Sequence, residues 1–441
     1  MQLLGRSPHD REIVRLAVPA LGALAAEPLY LLADTAIVGQ LGTRSLAGLA
    51  IAGTVLTAAF GVFNFLAYST TAAVARRLGA GDRRVAAQHG VDGMWLALAL
   101  GLGLMVVGIV LAPHIVDAMG ASERVRPFAL TYLRVSMIGA PAFLLALAAA
   151  GYLRGLQDTR TTLMIAVASN LLNLVLDVVF VFGFDWGIEG SAWSTVIAQL
   201  AAAAAYVVIV RRSARANGAS IRPHRAGMRQ TAVVGGPLVV RTASLLITFV
   251  AATNLAARIG DDEVAAHQIA FQMFFFLALS LDALAIAGQA MVGRLLGASD
   301  APSARAVARR LMELGTAIGL VVGIVLAGAA TWLVQGFSND PEVRHVAVQL
   351  LLVVAVLQPL NAIVFVLDGV LIGAGDQRFL ALAMIAATVG VFAPIAAVVT
   401  VADAGVLALW GALACWFVAR GVALASRYSG PAWQVTGAAR L

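Results

Sequence analysis

The sequence predicts an all-α integral membrane protein: twelve transmembrane helices in two six-helix bundles, related by pseudo-two-fold symmetry along the membrane normal. Three observations carry that expectation. Of 441 residues, 61% are hydrophobic and 12% charged, and the mean hydropathy is +0.90. Soluble domains carry about 25% charged residues. Twelve apolar runs are each long enough to cross a bilayer, which takes about 20 helical residues. The chain also repeats its landmarks at a constant offset of 218 residues.

The apolar runs fall at 13–41, 46–75, 90–112, 128–151, 161–184, 187–210, 230–257, 263–292, 307–334, 345–373, 379–402 and 405–426. An even number of spans returns both termini to one side. All 30 basic residues are arginine; 21 lie on the side of the N-terminus, five opposite, and four inside spans. The positive-inside rule then puts both termini in the cytoplasm of a multi-pass plasma-membrane protein. Met1 to Glu12 is polar and a full-length span follows, so no cleavable signal pattern is present. The net charge of +7 comes from arginines scattered between spans, which argues against nucleic acid as a partner. The single cysteine, Cys415, excludes a disulfide framework and a thiol metal site.

The repeat is held by residues with a backbone reason to stay in register. Arg11 maps to Arg229, Pro19 to Pro237, Gly79 to Gly297, Pro141 to Pro359, Gly155 to Gly373, Asp158 to Asp376 and Gly187 to Gly405, all 218 apart. This divides the chain into an N-terminal half, 1–212, a polar linker, 213–228, and a C-terminal half, 229–441. Six helices per half keep both halves in one orientation. Transporters that alternate access carry such repeats, with the substrate path between them.

Chemistry concentrates in the first half. Glu27 and Asp34 lie seven residues apart in the first run, on one helix face, with Pro28 between them. A carboxylate inside a span costs roughly 2.5–3.5 kcal/mol on insertion scales, so it faces protein or water. In the fifth run Asn170, Asn173 and Asp177 fall at i, i+3 and i+7, one stripe of a helix, and Thr195 of the sixth run is able to join them. Two readings are open. The stripe is a polar staple between helices, worth roughly 0.6 kcal/mol per hydrogen bond. Or Asp34 and Asp177 form a pair that resists ionising together and takes up a cation, a proton in the first place. Glu27 either lines a cavity or pairs with an arginine. Tyr30 and Tyr152 are candidate hydroxyls for the same half.

The order of several motifs resembles a multidrug and toxic compound extrusion (MATE) transporter of the DinF-like branch. These are Ala33 to Gly39, Gly151 to Asp158, Asn170 to Asp177, Val264 to Gln268, and Leu367 to Asp376. The resemblance covers nearly the whole chain. It implies a monomeric secondary transporter that exports small organic cations or amphipathic drugs across the lipid bilayer. The implied mechanism is alternating access driven by proton antiport, with sodium as the alternative ion and no cofactor. It also implies that Asp34, Asn173, Asp177 and Thr195 form the cation site, and the helix stripe adds Asn170 to that set. NorM-like members use acids in helices 7 and 10 for sodium. In or near those positions this chain has Arg241 and Asn361, and a buried guanidinium is a poor neighbour for sodium.

The second half does not copy the acid pair: Asp34 maps to Ala252 and Asp177 to Ile395. It has Arg241, Asp282 and Asp368 in its spans, and Asp282 maps to Asn64. These form a structural ion pair, or they face a cavity and attract cationic substrate. Met273 and the phenylalanines at 271 and 274–276, with Phe63 and Phe65, make either an adaptable drug-binding wall or core and lipid-facing surface. His267 reads as a packing residue or as a proton relay. No lysine-bearing phosphate loop, metal-spaced cluster or nucleophilic triad occurs, so no enzyme is expected. Within transport the rival is a flippase for a lipid-linked precursor. Intramembrane acids outnumber arginines, which disfavours that anionic cargo.

Overall fold

The computed structural model describes residues 7–437. Among them there are helices and turns but no strand. We number the spans α1 (Asp10–Gly39), α2 (Thr43–Gly79), α3 (Arg83–Ala118), α4 (Arg126–Ile138 with Ala140–Gly155), α5 (Thr159–Gly183) and α6 (Gly187–Ala216). They continue as α7 (Arg225–Ile259), α8 (Asp261–Gly297), α9 (Ala301–Gln335), α10 (Pro341–Gly373), α11 (Gln377–Val401) and α12 (Gly405–Ser429). Eleven are long and apolar enough to cross a membrane singly, and the bent pair in α4 makes the twelfth. All twelve apolar runs of the sequence fall on these helices. Many large apolar side chains remain exposed, as expected where the solvent is lipid.

The repeat is visible in the backbone. Four pairs of residues have positive φ at the same 218-residue separation: Gly81 and Ser299, Gln157 and Gly375, Asp185 and Asp403, Gly187 and Gly405. The helices that follow the first pair start alike. Asp82 caps α3 through Val85 N, and Asp300 caps α9 through Ser303 N. Such caps contribute about 1 kcal/mol each and fix where a helix starts. In place of a break like that of α4, bent by 49° at Gly139, α10 continues unbroken through Pro359. Gly139 precedes Pro141, whereas the matching position before Pro359 is Leu357.

Packing divides the chain into two units, but not at the sequence boundary. Among the described residues, one unit is Val18–Gly236; the other takes residues 7–17 and 237–437. The halves expected at 1–212 and 229–441 therefore exchange their first turns within α1 and α7. The side chains give the reason. Arg310 and Arg294 reach Asp10 and Glu12 at 2.7 and 2.8 Å, so the start of α1 belongs with α8 and α9. In the other unit Gly235 of α7 lies against the Phe65 ring, too close for a Cβ. The crossover points sit beside Pro19 and Pro237, themselves one repeat apart.

Inside each unit the second and fourth helices cross with backbones in contact. A Cβ on Gly151 of α4 would lie 2.5 Å from the Ala67 carbonyl oxygen and 2.8 Å from its Cα. Gly369 of α10 and Ala285 of α8 repeat the crossing. Small residues let membrane helices approach this closely. Gly151→Ala is expected to destabilise the protein by about 1–3 kcal/mol through overpacking. Gly103→Ala, which meets nothing within 4 Å, is the control. Thermal unfolding in detergent reads both.

Candidate functional site

Helices α1, α4, α5 and α6 bring Asp34 and Asp177 of the Val18–Gly236 unit together at the first turns of α6. Asp34 and Asp177 are 1% and 0% exposed, so neither is held in solvent. Asp34 accepts hydrogen bonds from Ser191 Oγ and, at 3.1 Å, from Tyr132 Oη. Asp177 Oδ1 accepts from Ser194 Oγ at 2.7 Å. Its Oδ2 is buried and has no hydrogen-bond partner. The two carboxyl groups are close enough to act on each other electrostatically.

The Ser194 hydroxyl has one proton and two acceptors at 2.7 Å, Asp177 Oδ1 and the Ser191 carbonyl. Which it serves depends on whether Asp177 carries charge, since a charged acceptor makes the stronger bond. Asn173 Nδ2 donates to Ser194 Oγ at 3.1 Å and to Thr195 Oγ1 at 3.3 Å. Thr195 donates to the Ser191 carbonyl, so in its 2.8 Å contact with Tyr30 the phenol is the donor. One continuous network thus runs from Tyr30 through Thr195, Asn173 and Ser194 to Asp177.

Tyr30, Asn173 and Thr195 of the network line a cavity of about 230 Å³ within this unit, lined also by Glu27, Asn170, Arg154, Gln199 and Tyr206. Glu27 is exposed to that space and makes no ion pair among the described residues. Asn170 does not join the acid pair. It donates instead to the Ala26 carbonyl at 2.7 Å, tying α5 to α1 one residue before Glu27. Tyr152 pairs with Ser213 at 2.6 Å, away from the carboxylates. Asn64 sits where a 3₁₀ turn interrupts α2, outside this cavity.

The remaining candidates lie in the other unit. Arg241 and Arg420 both donate to Asp368 Oδ2, at 2.6 and 2.7 Å, and Arg420 stacks 4.7 Å over the Trp416 ring. Asp368 is therefore neutralised by arginine, not presented to a substrate. Asp282 is half-buried on α8. Met273 and Phe271 pack against the apolar core, and Phe274 lies within it. His267 is fully buried with both ring nitrogens used. Trp410 Nε1 donates to Nδ1 at 3.1 Å, so Nε2 carries the proton and faces Thr253 Oγ1 at 3.1 Å. That is a neutral packing residue with no vacancy for a relayed proton.

Sequence reasoning missed Tyr132, Ser191 and Ser194 at the pair, and Arg154, Gln199 and Tyr206 in the cavity. The spacing of Ser191, Ser194 and Thr195 at i, i+3 and i+4 is a polar stripe facing that of α5, and was the available signal. Chemically, the site offers two carboxylates, hydroxyls and an amide around one unoccupied acceptor, which suits a proton or a small monovalent cation. Among the described residues no cluster of three or more His, Cys, Asp or Glu is able to hold a metal ion.

Comparison with known proteins follows the same repeat. The MatE family model matches residues 19–179 and 237–398. The chain is 33% identical to Protein DETOXIFICATION 44, chloroplastic, of Arabidopsis thaliana, over 94% of this chain and 81% of that protein. It is 30% identical to DNA damage-inducible protein F of Escherichia coli (strain K12), over 95% of this chain and 91% of that one. A solved MOP superfamily transporter from Pyrococcus furiosus shares the fold, with a TM-score of 0.86, 23% identity and 97% of each chain covered.

Proposed function

The chain belongs to the MatE family of multidrug and toxic compound extrusion transporters, and on that premise we propose that it exports cationic or amphipathic organic compounds in exchange for protons. The observation that carries the coupling is the partnerless Asp177 Oδ2, buried in the same network as Asp34 and linked through Ser194 to Asn173, which lines the cavity. An unsatisfied buried acceptor costs about 1–3 kcal/mol, more when charged, and binding a cation removes that cost.

In the empty state Ser194 donates to charged Asp177, and the pair repels itself. A cation entering between Asp34 and Asp177 ends the repulsion. The Ser194 proton then turns to the Ser191 carbonyl, and the hold on Asn173 and Thr195 loosens. Thr195 grips Tyr30, one turn from Asp34 on α1, so the change reaches the helix that carries Glu27 and Pro28. Pro28 leaves α1 one backbone bond short and gives it a place to bend. Drug and cation need only prefer different arrangements of α1 for one to expel the other. The transporter acts as a monomer in the plasma membrane, with both termini in the cytoplasm.

The test uses purified protein in liposomes and a fluorescent cation such as ethidium. A pH gradient and a sodium gradient are imposed separately. Movement under the pH gradient alone is expected. Movement only under sodium keeps the export reading and replaces the ion. Movement under neither, across a broad panel of cations, sinks the reading.

A further inference from the structure

A second, more apolar depression of the Val18–Gly236 unit lies away from the acid pair. At the arginine-rich end, α3, α4 and α6 enclose a groove of about 350 Å³. Val91, Met94 and Leu98 of α3 line it, with Leu145 of α4, Val207 of α6, and Arg211 as its cation. The loop after α6 forms its roof. Trp95 Nε1 donates to the Ile221 carbonyl at 3.1 Å, and Ser220 N donates to Gln88 Oε1 at 3.0 Å. The groove is therefore a built feature with a pinned cover, not a gap between loose side chains.

Two further observations say what fits it. The helices continue from the groove as bare apolar surface: Leu102, Val106 and Val110 on α3, Leu200 and Val208 on α6 are all exposed. The groove thus opens toward lipid, with Trp95 placed as an interfacial anchor. Around its roof Arg211, Arg212, Arg215 and Arg222 are exposed and make no ion pair among the described residues. That is concentrated positive charge beside an apolar trough. The arginine count assigns this end to the cytoplasmic leaflet, whose lipids are partly anionic.

We propose that this groove is a phospholipid site: an acyl chain fills the trough, and the phosphate of an anionic glycerophospholipid binds Arg211 beneath the α6–α7 loop. The guanidinium suits a phosphate because it donates two parallel hydrogen bonds in one plane. A headgroup without a compensating ammonium is favoured because the neighbouring arginines repel a cation. The lipid lies under the loop that leads into α7.

Full-length protein is incubated in vesicles of equal phosphatidylglycerol and phosphatidylcholine, extracted in mild detergent and read by native mass spectrometry. One phosphatidylglycerol is expected to be retained per chain. Preference over phosphatidylcholine is expected to fall on the order of fivefold in Arg211→Gln. Val207→Trp, which fills the trough, is expected to lose the lipid; should it not fold, Leu98→Phe is read in the same way. Equal retention of the two lipids by the wild type overturns the proposal, as does undiminished retention in the filled groove. Displacement of the lipid by ethidium at transport concentrations makes the groove a drug site and also overturns it. None of these readouts depends on a transport assay.

Discussion

Asp177→Asn is expected to abolish gradient-driven transport while leaving the protein folded. The structure makes this the cleaner of the two acid substitutions. Asp34 accepts hydrogen bonds on both carboxylate oxygens, from Ser191 and Tyr132. An amide there turns its NH2 group toward a donor, so Asp34→Asn perturbs packing as well as charge. Asp177 has one satisfied oxygen and one free. An amide keeps its oxygen on Ser194 and places its NH2 where nothing is bonded. Charge is removed and little else. Coupling free energies between sites usually amount to about 1–3 kcal/mol, or roughly 5–150-fold in affinity. The effect of pH on drug affinity is expected to shrink by that factor in Asp177→Asn. Gradient-driven uptake is expected to fall to the leak of empty liposomes, while drug binding without a gradient persists. Uptake equal to wild type would remove Asp177 from the coupling step.

The two acids were legible because of where they stand. A carboxylate in an apolar run has few structural uses, and Asp34 and Asp177 have no counterparts one repeat later. Their partners were not legible for the opposite reason. Ser191 and Ser194 stand in an Ala-rich helix, where serine is common and cheap, and only the facing α5 stripe gives them meaning. Tyr132 lies on the first arm of bent α4, whose break falls at Gly139 just before Pro141. Proline in a span permits a break without specifying one, as unbroken α10 with its own Pro359 shows.

The fold was legible through its repeat, because the positions that repeat are turns and close crossings with few alternatives. Ser299 stands where Gly81 does and Gln157 where Gly375 does, each with positive φ. The turn is kept even where glycine is not. The division into packing units was less legible. A polar linker marks where the chain leaves the membrane, whereas the units are set by side-chain contacts such as Arg310 with Asp10. Those contacts move the boundary into α1 and α7, beside Pro19 and Pro237.

Asp368→Ala is expected to have the largest effect on stability, and to act without touching coupling. One carboxylate oxygen holds two guanidinium groups, and the Arg420 side chain is 3% exposed. Removing the acid leaves a buried charge uncompensated, which costs about 3–5 kcal/mol. Stacking of Arg420 on Trp416 and Phe417 recovers part of that cost, because an aromatic face attracts a cation. Asp368→Asn keeps an acceptor oxygen and is expected to fall between the alanine variant and wild type. Thermal unfolding in detergent orders the three. Whatever fraction folds is expected to keep the wild-type dependence of drug uptake on the pH gradient, since the acid pair lies in the other unit. The opposite pattern is also readable: unchanged stability with lost uptake. That would mean Asp368 leaves its arginines during the transport cycle, and the coupling mechanism would then have to include the second unit.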